Sequence, residues 1–150
     1  DMQLSPVSLG AEMLVDALPH AWSMLVHLAG EGAASKLTCS ETGPDSIQVA
    51  GTYEGERAVT RFSFDMQHCP EQPRPFAYSI NGHRVDRIIE PASYAMSFNG
   101  NDVTTPIRDP LAARIERIVT LVSENAYNSD LDKQVLETQL LEKSIEVLSA

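Results

Sequence analysis

The sequence predicts an α+β fold: a largely antiparallel open sheet of about five to six strands, with helices packed on one face. Three observations carry this. A helical apolar spacing occupies the stretch around residues 14–30, five alternating runs fill residues 46–100, and two more helical patterns follow residue 109. The "NG" pair at 81–82, set between two of the alternating runs, signals a tight hairpin and so an antiparallel pairing.

Pro19 suits the first turn of the first helix, where its missing N–H costs nothing. Trp22, Leu25, Val26 and Ala29 then recur at helical spacing, and Gly30 supplies the stop. The runs "SIQVAGTYE", "AVTRFSFDM", "RPFAYSING", "HRVDRIIE" and "SYAMSFNG" read as strands divided by Gly, Asn and Pro. Within them Phe62, Phe64 and Met66 share one face, as do Phe76, Tyr78 and Ile80, and Tyr94, Met96 and Phe98. Asp109 and Pro110 read as N-cap and first helical residue of a second helix carrying Leu111, Ile115, Ile118, Val119 and Val122. A last helix begins after "NSD" at 128–130. It sets Leu131, Val135, Leu141, Ile145 and Leu148 opposite a solvated Lys133, Glu137 and Lys143.

At 150 residues the chain is the size of one domain, 1–150, and can bury a core without staples. Its 21 acidic and 11 basic side chains leave a formal charge of −10, which repels nucleic acid and anionic lipid. No apolar run approaches the ~20 residues of a membrane span, and "DMQLSPVSLG" lacks the positive charge of a leader. Cys39 and Cys69 form no CxxC, so reduced thiols in a cytoplasmic protein account for them, with a single disulfide as the alternative. The start at Asp1 rather than Met suggests a piece of something longer. Nucleotide and zinc signatures are absent: no GxGxxG after a strand, no P-loop, no HExxH and no clustered Cys and His. The expectation is therefore no cofactor and no metal held by this chain.

The chemistry concentrates in "LVDALPHAWSMLVHLAGEG", residues 14–32, where Asp16 stands four before His20. On a helix that spacing puts both side chains on one face. A carboxylate that accepts a hydrogen bond from an imidazole fixes its tautomer and raises its basicity, as a general base near neutral pH requires. The plainer reading makes Asp16 a first-turn cap and His20 a satisfied, partly buried imidazole.

The segment "GAEMLVDALPHAWSMLVHLAGE" resembles the opening of the C-terminal domain in the glucose–fructose oxidoreductase and inositol dehydrogenase family. Gly10, Asp16, Pro19, His20, Leu25, Leu28, Gly30 and Glu31 stand at the matching places. The "R-P-F…I-N-G" strand and hairpin and the closing "LLEKSIEVL" extend the similarity of architecture over nearly the whole chain. Leu18 replaces the family's glycine between Asp and His, and Ser23 replaces an acidic residue often found three after the His. The family's N-terminal Rossmann domain and the Lys of its E-K-P motif are not in this chain. The resemblance implies the C-terminal substrate-binding and oligomerisation half of a two-domain oxidoreductase, inactive by itself. The parent would use NAD or NADP on a sugar or polyol hydroxyl. His20 would exchange the hydroxyl proton and Asp16 would orient and tune it, while the cofactor carries the hydride.

Other candidates read as structural. His68 and His83 lack partners at ligand spacing, and His27 sits mid-helix. Arg74, Arg84 and Arg87 offer contacts to an acidic sugar or a cofactor phosphate, but strand arginines in an acidic protein more often make ion pairs, so they are expected outside the site. The aromatic rows exceed what three helices can cover, so the uncovered sheet face predicts a homodimer, as the resemblance also implies. Two alternatives stay open: a non-catalytic ligand-binding or assembly module of the same fold, and a stand-alone α+β enzyme using Asp16 and His20.

Overall fold

The computed structural model describes residues 1–124 and 128–148, and at residues 111 and 128–133 the backbone alone. The elements run β1 (Met2–Leu4), α1 (Glu12–Ala29), β2 (Gly32–Gly43), β3 (Ser46–Gly55), β4 (Val59–Gln67), β5 (Ala77–Ile80), β6 (His83–Ile89), β7 (Met96–Gly100), β8 (Val103–Pro106), α2 (Pro110–Glu124) and α3 (Asn128–Leu148). The fold is α+β, with one open eight-stranded sheet in the order β2-β3-β4-β1-β5-β6-β7-β8. β1 lies parallel to β4, and the other neighbouring pairs are antiparallel.

The first helix starts earlier than expected. Pro19 is not its first residue but lies inside it. An interior proline removes one backbone hydrogen bond and costs about 3 kcal/mol. Met13, Leu14 and Leu18 are all fully buried, and each large apolar side chain taken from water is worth about 1.5–3 kcal/mol. Together they outweigh the proline, so the helix continues through it. The Leu18 that departs from the family pattern is thus a core anchor, and no turn separates Asp16 from His20. Gly30 ends the helix as expected, with φ +86°, and its N–H donates to the Val26 carbonyl.

The sheet has eight strands rather than five to six, and three of them lie outside the five runs read as strands. β1 is three residues long, β8 four, and β2 ("GAASKLTCSETG") is built from small and polar residues with little strand preference. β2 is held by pairing with β3 and carries an irregularity between Ser35 and Thr38, where Lys36 has φ +51°. The five strands read from sequence are present, and the 81–82 turn joins β5 to β6. Asn81 and Gly82 both have positive φ, as a two-residue turn with the matching twist needs.

The register decides which residues share a face. Met2 pairs with both Phe64 and Tyr78, and Arg87 pairs with Phe98 while its N–H donates to the Phe76 carbonyl. All the strand aromatics therefore point the same way, toward α1. Trp22 of α1 packs edge-on against Phe62 and Phe64, at 5.0 and 5.1 Å between ring centroids. The reverse face presents Gln3, Gln48, Arg61, Ser63, Asp65, Ser79, Arg84 and Asp86, with Gln48 bonded to Asp65 and Arg84 to Asp86 and Gln3. That face is mainly polar, with exposed Ile88 as an exception, so the apolar sheet surface that α1 leaves uncovered is instead the side of β5 to β8 that carries Tyr78 and Phe98.

Pro110 opens α2 as expected, and the Ala113 N–H donates to the Asp109 carbonyl. α2 does not join the helical layer as expected, because Ile115, Ile118 and Val119 are exposed. α3 packs on α1 and β2 through Leu136, Leu140, Leu141, Ile145 and Leu148, with Ser144 buried among them. Val135, expected on that apolar side, is exposed, and Leu131 and Lys133 lie outside the described side chains. Lys143, expected in solvent, reaches the Ala34 carbonyl of β2 at 2.5 Å.

Candidate functional site

Beside α1, over the middle of the sheet, lies an open cavity of about 490 Å3. Asp16, His20 and Met24 of α1 line one side; Phe76, Met96 and Phe98 line the sheet side. Asp16 and His20 stand one turn apart on a continuous helix, so both reach this cavity. His20 is exposed, and Asp16 is half-buried.

The two do not form the expected couple. Among the described residues no hydrogen bond joins them. The Asp16 carboxylate instead accepts the Val7 N–H at 3.0 Å and the Ser8 hydroxyl at 3.2 Å through the same oxygen. Those contacts pin the segment between β1 and α1 against the helix. The same segment is held from the other side: the Cys69 N–H donates to the Pro6 carbonyl, and His68 Nδ1 lies 3.2 Å from the Ser8 carbonyl. Asp16 is a positioning residue for the cavity wall, and His20 stands at that wall with an accessible ring.

The structure adds two groups that the sequence reading set aside. Arg74 and Arg87 line the same cavity. The expected ion pair holds for Arg84, bound to Asp86 at 2.8 Å, but neither Arg74 nor Arg87 makes one among the described residues. Arg87 lies over the Phe76 ring, 5.2 Å from its centroid, and donates from Nη2 to the Arg74 carbonyl at 2.8 Å. Burial pushes its guanidinium below the ordinary arginine pKa. The Nε atoms of both arginines are buried without a hydrogen-bond partner. The signal was present in the strand parity. Arg87 alternates with Val85 and Ile89 on the apolar face, whereas Arg84 shares the polar face with Asp86.

The remaining candidates are structural. His27 lends its carbonyl to Arg57, and His83 opens β6 opposite Ile80. Cys39 and Cys69 are free thiols, and burial pushes the Cys39 pKa up. Among the described residues no three His, Cys, Asp or Glu side chains gather as metal ligands, and no helix is long and apolar enough to cross a membrane. A second cavity of about 780 Å3, lined by Leu25, Leu28, Phe62 and Ile80, holds no histidine and is poorer in chemistry despite its size. Met2 and Met24 line both cavities.

A dinucleotide finds no cradle at α1, which is the one helix start preceded by a left-handed glycine, Gly10, among the described residues. The Met13 and Leu14 N–H groups there are taken by the Gly10 and Ala11 carbonyls, and the first turn carries Glu12. No protein-family model, curated protein or solved structure matches the chain.

Proposed function

We propose that this chain is the substrate-binding half of a nicotinamide-dependent oxidoreductase acting on a sugar or polyol hydroxyl. His20 is then the group that takes or returns the hydroxyl proton. One observation carries the reading: a histidine at the matched position of the D-x-x-x-H segment is exposed on the wall of a cavity sized for a small molecule. An accessible imidazole can exchange a proton near neutral pH, and an apolar floor with few polar groups orients a ligand above it. Asp16 serves by holding the 7–8 segment, which keeps the wall in place beside His20. The nicotinamide, NAD or NADP, would supply the hydride chemistry when bound by a separate domain, a reading supported by the lack of a GxGxxG turn in this sequence.

One observation favours a second reading, a ligand-binding module without chemistry: the Asp16 carboxylate is committed to Val7 and Ser8 rather than to the imidazole. Turnover separates the two. In the enzyme that includes the nucleotide-binding domain, His20→Ala is expected to lower kcat by about 10²–10⁴-fold, the usual worth of general acid–base help. The KM for the nicotinamide should stay unchanged. The 150-residue chain alone should bind neither cofactor in calorimetry. An alanine variant with full turnover, or no nicotinamide-dependent oxidation of any polyol, would establish the module instead.

A further inference from the structure

We infer that Arg74 and Arg87 form the receptor for an anionic group on the small molecule that occupies the 490 Å3 cavity, a carboxylate or a phosphate monoester carried on a polyhydroxylated body. The inference deepens the reading of that cavity as the substrate site and rests on it.

Three facts lead there. First, acidic side chains outnumber basic ones by 21 to 11, so an arginine can easily find a carboxylate, as Arg84 and Arg108 do. Arg74 and Arg87 find none among the described residues, although both lie at one wall of one cavity. Second, a charge withdrawn from water without a counter-ion is costly, and the cost falls when a counter-ion arrives from outside. Arg87 is in that position: it is half-buried, it shares the apolar face of β6, and among the described residues its acceptor is a backbone carbonyl. Third, each guanidinium keeps its Nε donor buried and unsatisfied. A carboxylate or phosphate can accept from the terminal nitrogens of the two guanidiniums, and a small shift of either side chain would bring its unsatisfied Nε into the same fork.

The surroundings fix the rest of the ligand. Phe76 lies under the Arg87 guanidinium and the Arg74 carbonyl accepts from its Nη2, so the group is already held before a ligand arrives. Phe76, Met96 and Phe98 give a floor for C–H surface, and His20 stands on the facing helix for a hydroxyl. Asp16, the acidic side chain of this cavity, has one carboxylate oxygen occupied by Val7 and Ser8. A neutral sugar would leave both arginines unanswered. An acidic one would answer them and point its far end at His20.

Calorimetric titration of the protein with gluconate, sorbitol and sorbitol 6-phosphate tests this, since the three share a six-carbon body and differ in the terminal group. One of the two anions is expected to bind at least ~10-fold more tightly than sorbitol, in line with the usual worth of hydrogen bonds to a charged group. Whichever anion binds more tightly identifies a sugar acid or a sugar phosphate. Arg74→Gln and Arg87→Met should each erase the margin, while Arg87→Lys, which keeps the charge but loses the fork, should retain part of it. Should Arg87→Met fail to fold, Arg74→Gln and the Nε–H resonances of the two arginines, which should shift on anion addition, decide the matter. Equal affinity for all three ligands, or a margin that survives Arg74→Gln with unmoved resonances, overturns the inference. An anion margin in the wild-type enzyme without any nicotinamide-dependent turnover would leave this inference standing and remove the oxidoreductase reading. Turnover of neutral polyols with no anion margin would do the reverse.

Discussion

In the half of the sheet formed by β2, β3 and β4, Val49, Phe64 and Met66 are buried beneath α1. Across β1, in the half formed by β5 to β8, Phe76, Tyr78 and Phe98 point the same way and remain only half-buried. The local patterns are alike: period-two alternation with aromatics on one face. What differs is the connection. α1 joins β1, in the middle of the sheet, to β2 at its edge, so it must cross β4 and β3 and covers them on the way. The strands β5 to β8 follow one another as antiparallel neighbours through short links, and no connecting helix is available to lie over them. One half became a core and the other a cavity floor, and the same alternation serves both.

The largest effect that could break this comparison is in the covered half. Trp22 is fully buried against Phe62 and Phe64, and Trp22→Ala should cost about 3–5 kcal/mol in urea unfolding. Phe98→Ala, in the open half, should cost about 1–2 kcal/mol, because a half-buried ring leaves a smaller cavity behind. It should weaken binding of the cavity ligand by a larger relative margin than Trp22→Ala does at a temperature where both variants are folded. Equal stability losses would mean that the open half is packed as tightly as the other.

The boundary between the halves is tested at Asp16. Removing its carboxylate strands the Val7 N–H and the Ser8 hydroxyl, and hydrogen bonds to a charged acceptor contribute about 1.5–3 kcal/mol when fully formed. The site is half-exposed, so Asp16→Ala should cost about 1–2 kcal/mol. The Val7 amide should exchange faster, while amides in β3 and β4 change only by the global loss. Unchanged protection at Val7 would deny Asp16 its positioning role.

Alternation and turn chemistry made most of the framework legible. Each of the five runs from 46 to 100 contains a strand, Asn81 and Gly82 turn, Pro110 opens α2 and Gly30 closes α1, but Tyr94, expected on a strand face with Met96 and Phe98, lies exposed before β7 with positive φ. β2 escaped because "GAASKLTCSETG" offers no clear alternation and Leu37 as its one large apolar side chain, and its strand state comes from β3 beside it. The start of α1 escaped because the rule for proline is local, whereas the burial of Met13, Leu14 and Leu18 is set by the sheet below. At the site, the spacing of Asp16 and His20 correctly implied a shared face, but the carboxylate's partners lie in a segment eight and nine residues away that no helical rule connects to it. Arg74 and Arg87 were visible as residues and not as a pair, since their convergence depends on the register of β6 against the chain before β5.

The smallest effect concerns how closed the covered half is. Tyr53 of β3 is fully buried, and its hydroxyl donates to the Gly30 carbonyl at 2.9 Å. Its pKa is raised above the ordinary value of 10.0, first by burial and then by Glu31 and Glu56. The folded state therefore keeps the phenol proton at pH values where the unfolded state has lost it. Stability linked to Tyr53 is complete below about pH 10, the unfolded pKa, and is lost as pH rises from there through the folded pKa. Tyr53→Phe should cost about 1 kcal/mol at neutral pH, because it leaves the Gly30 carbonyl without this donor. The difference between wild type and variant in urea unfolding should then shrink as pH is taken from 9 to 11, since only wild type has a phenol to ionise. A difference that stays constant over that range would show the Tyr53 hydroxyl to be in contact with solvent, and the covered half to be less closed than its packing indicates.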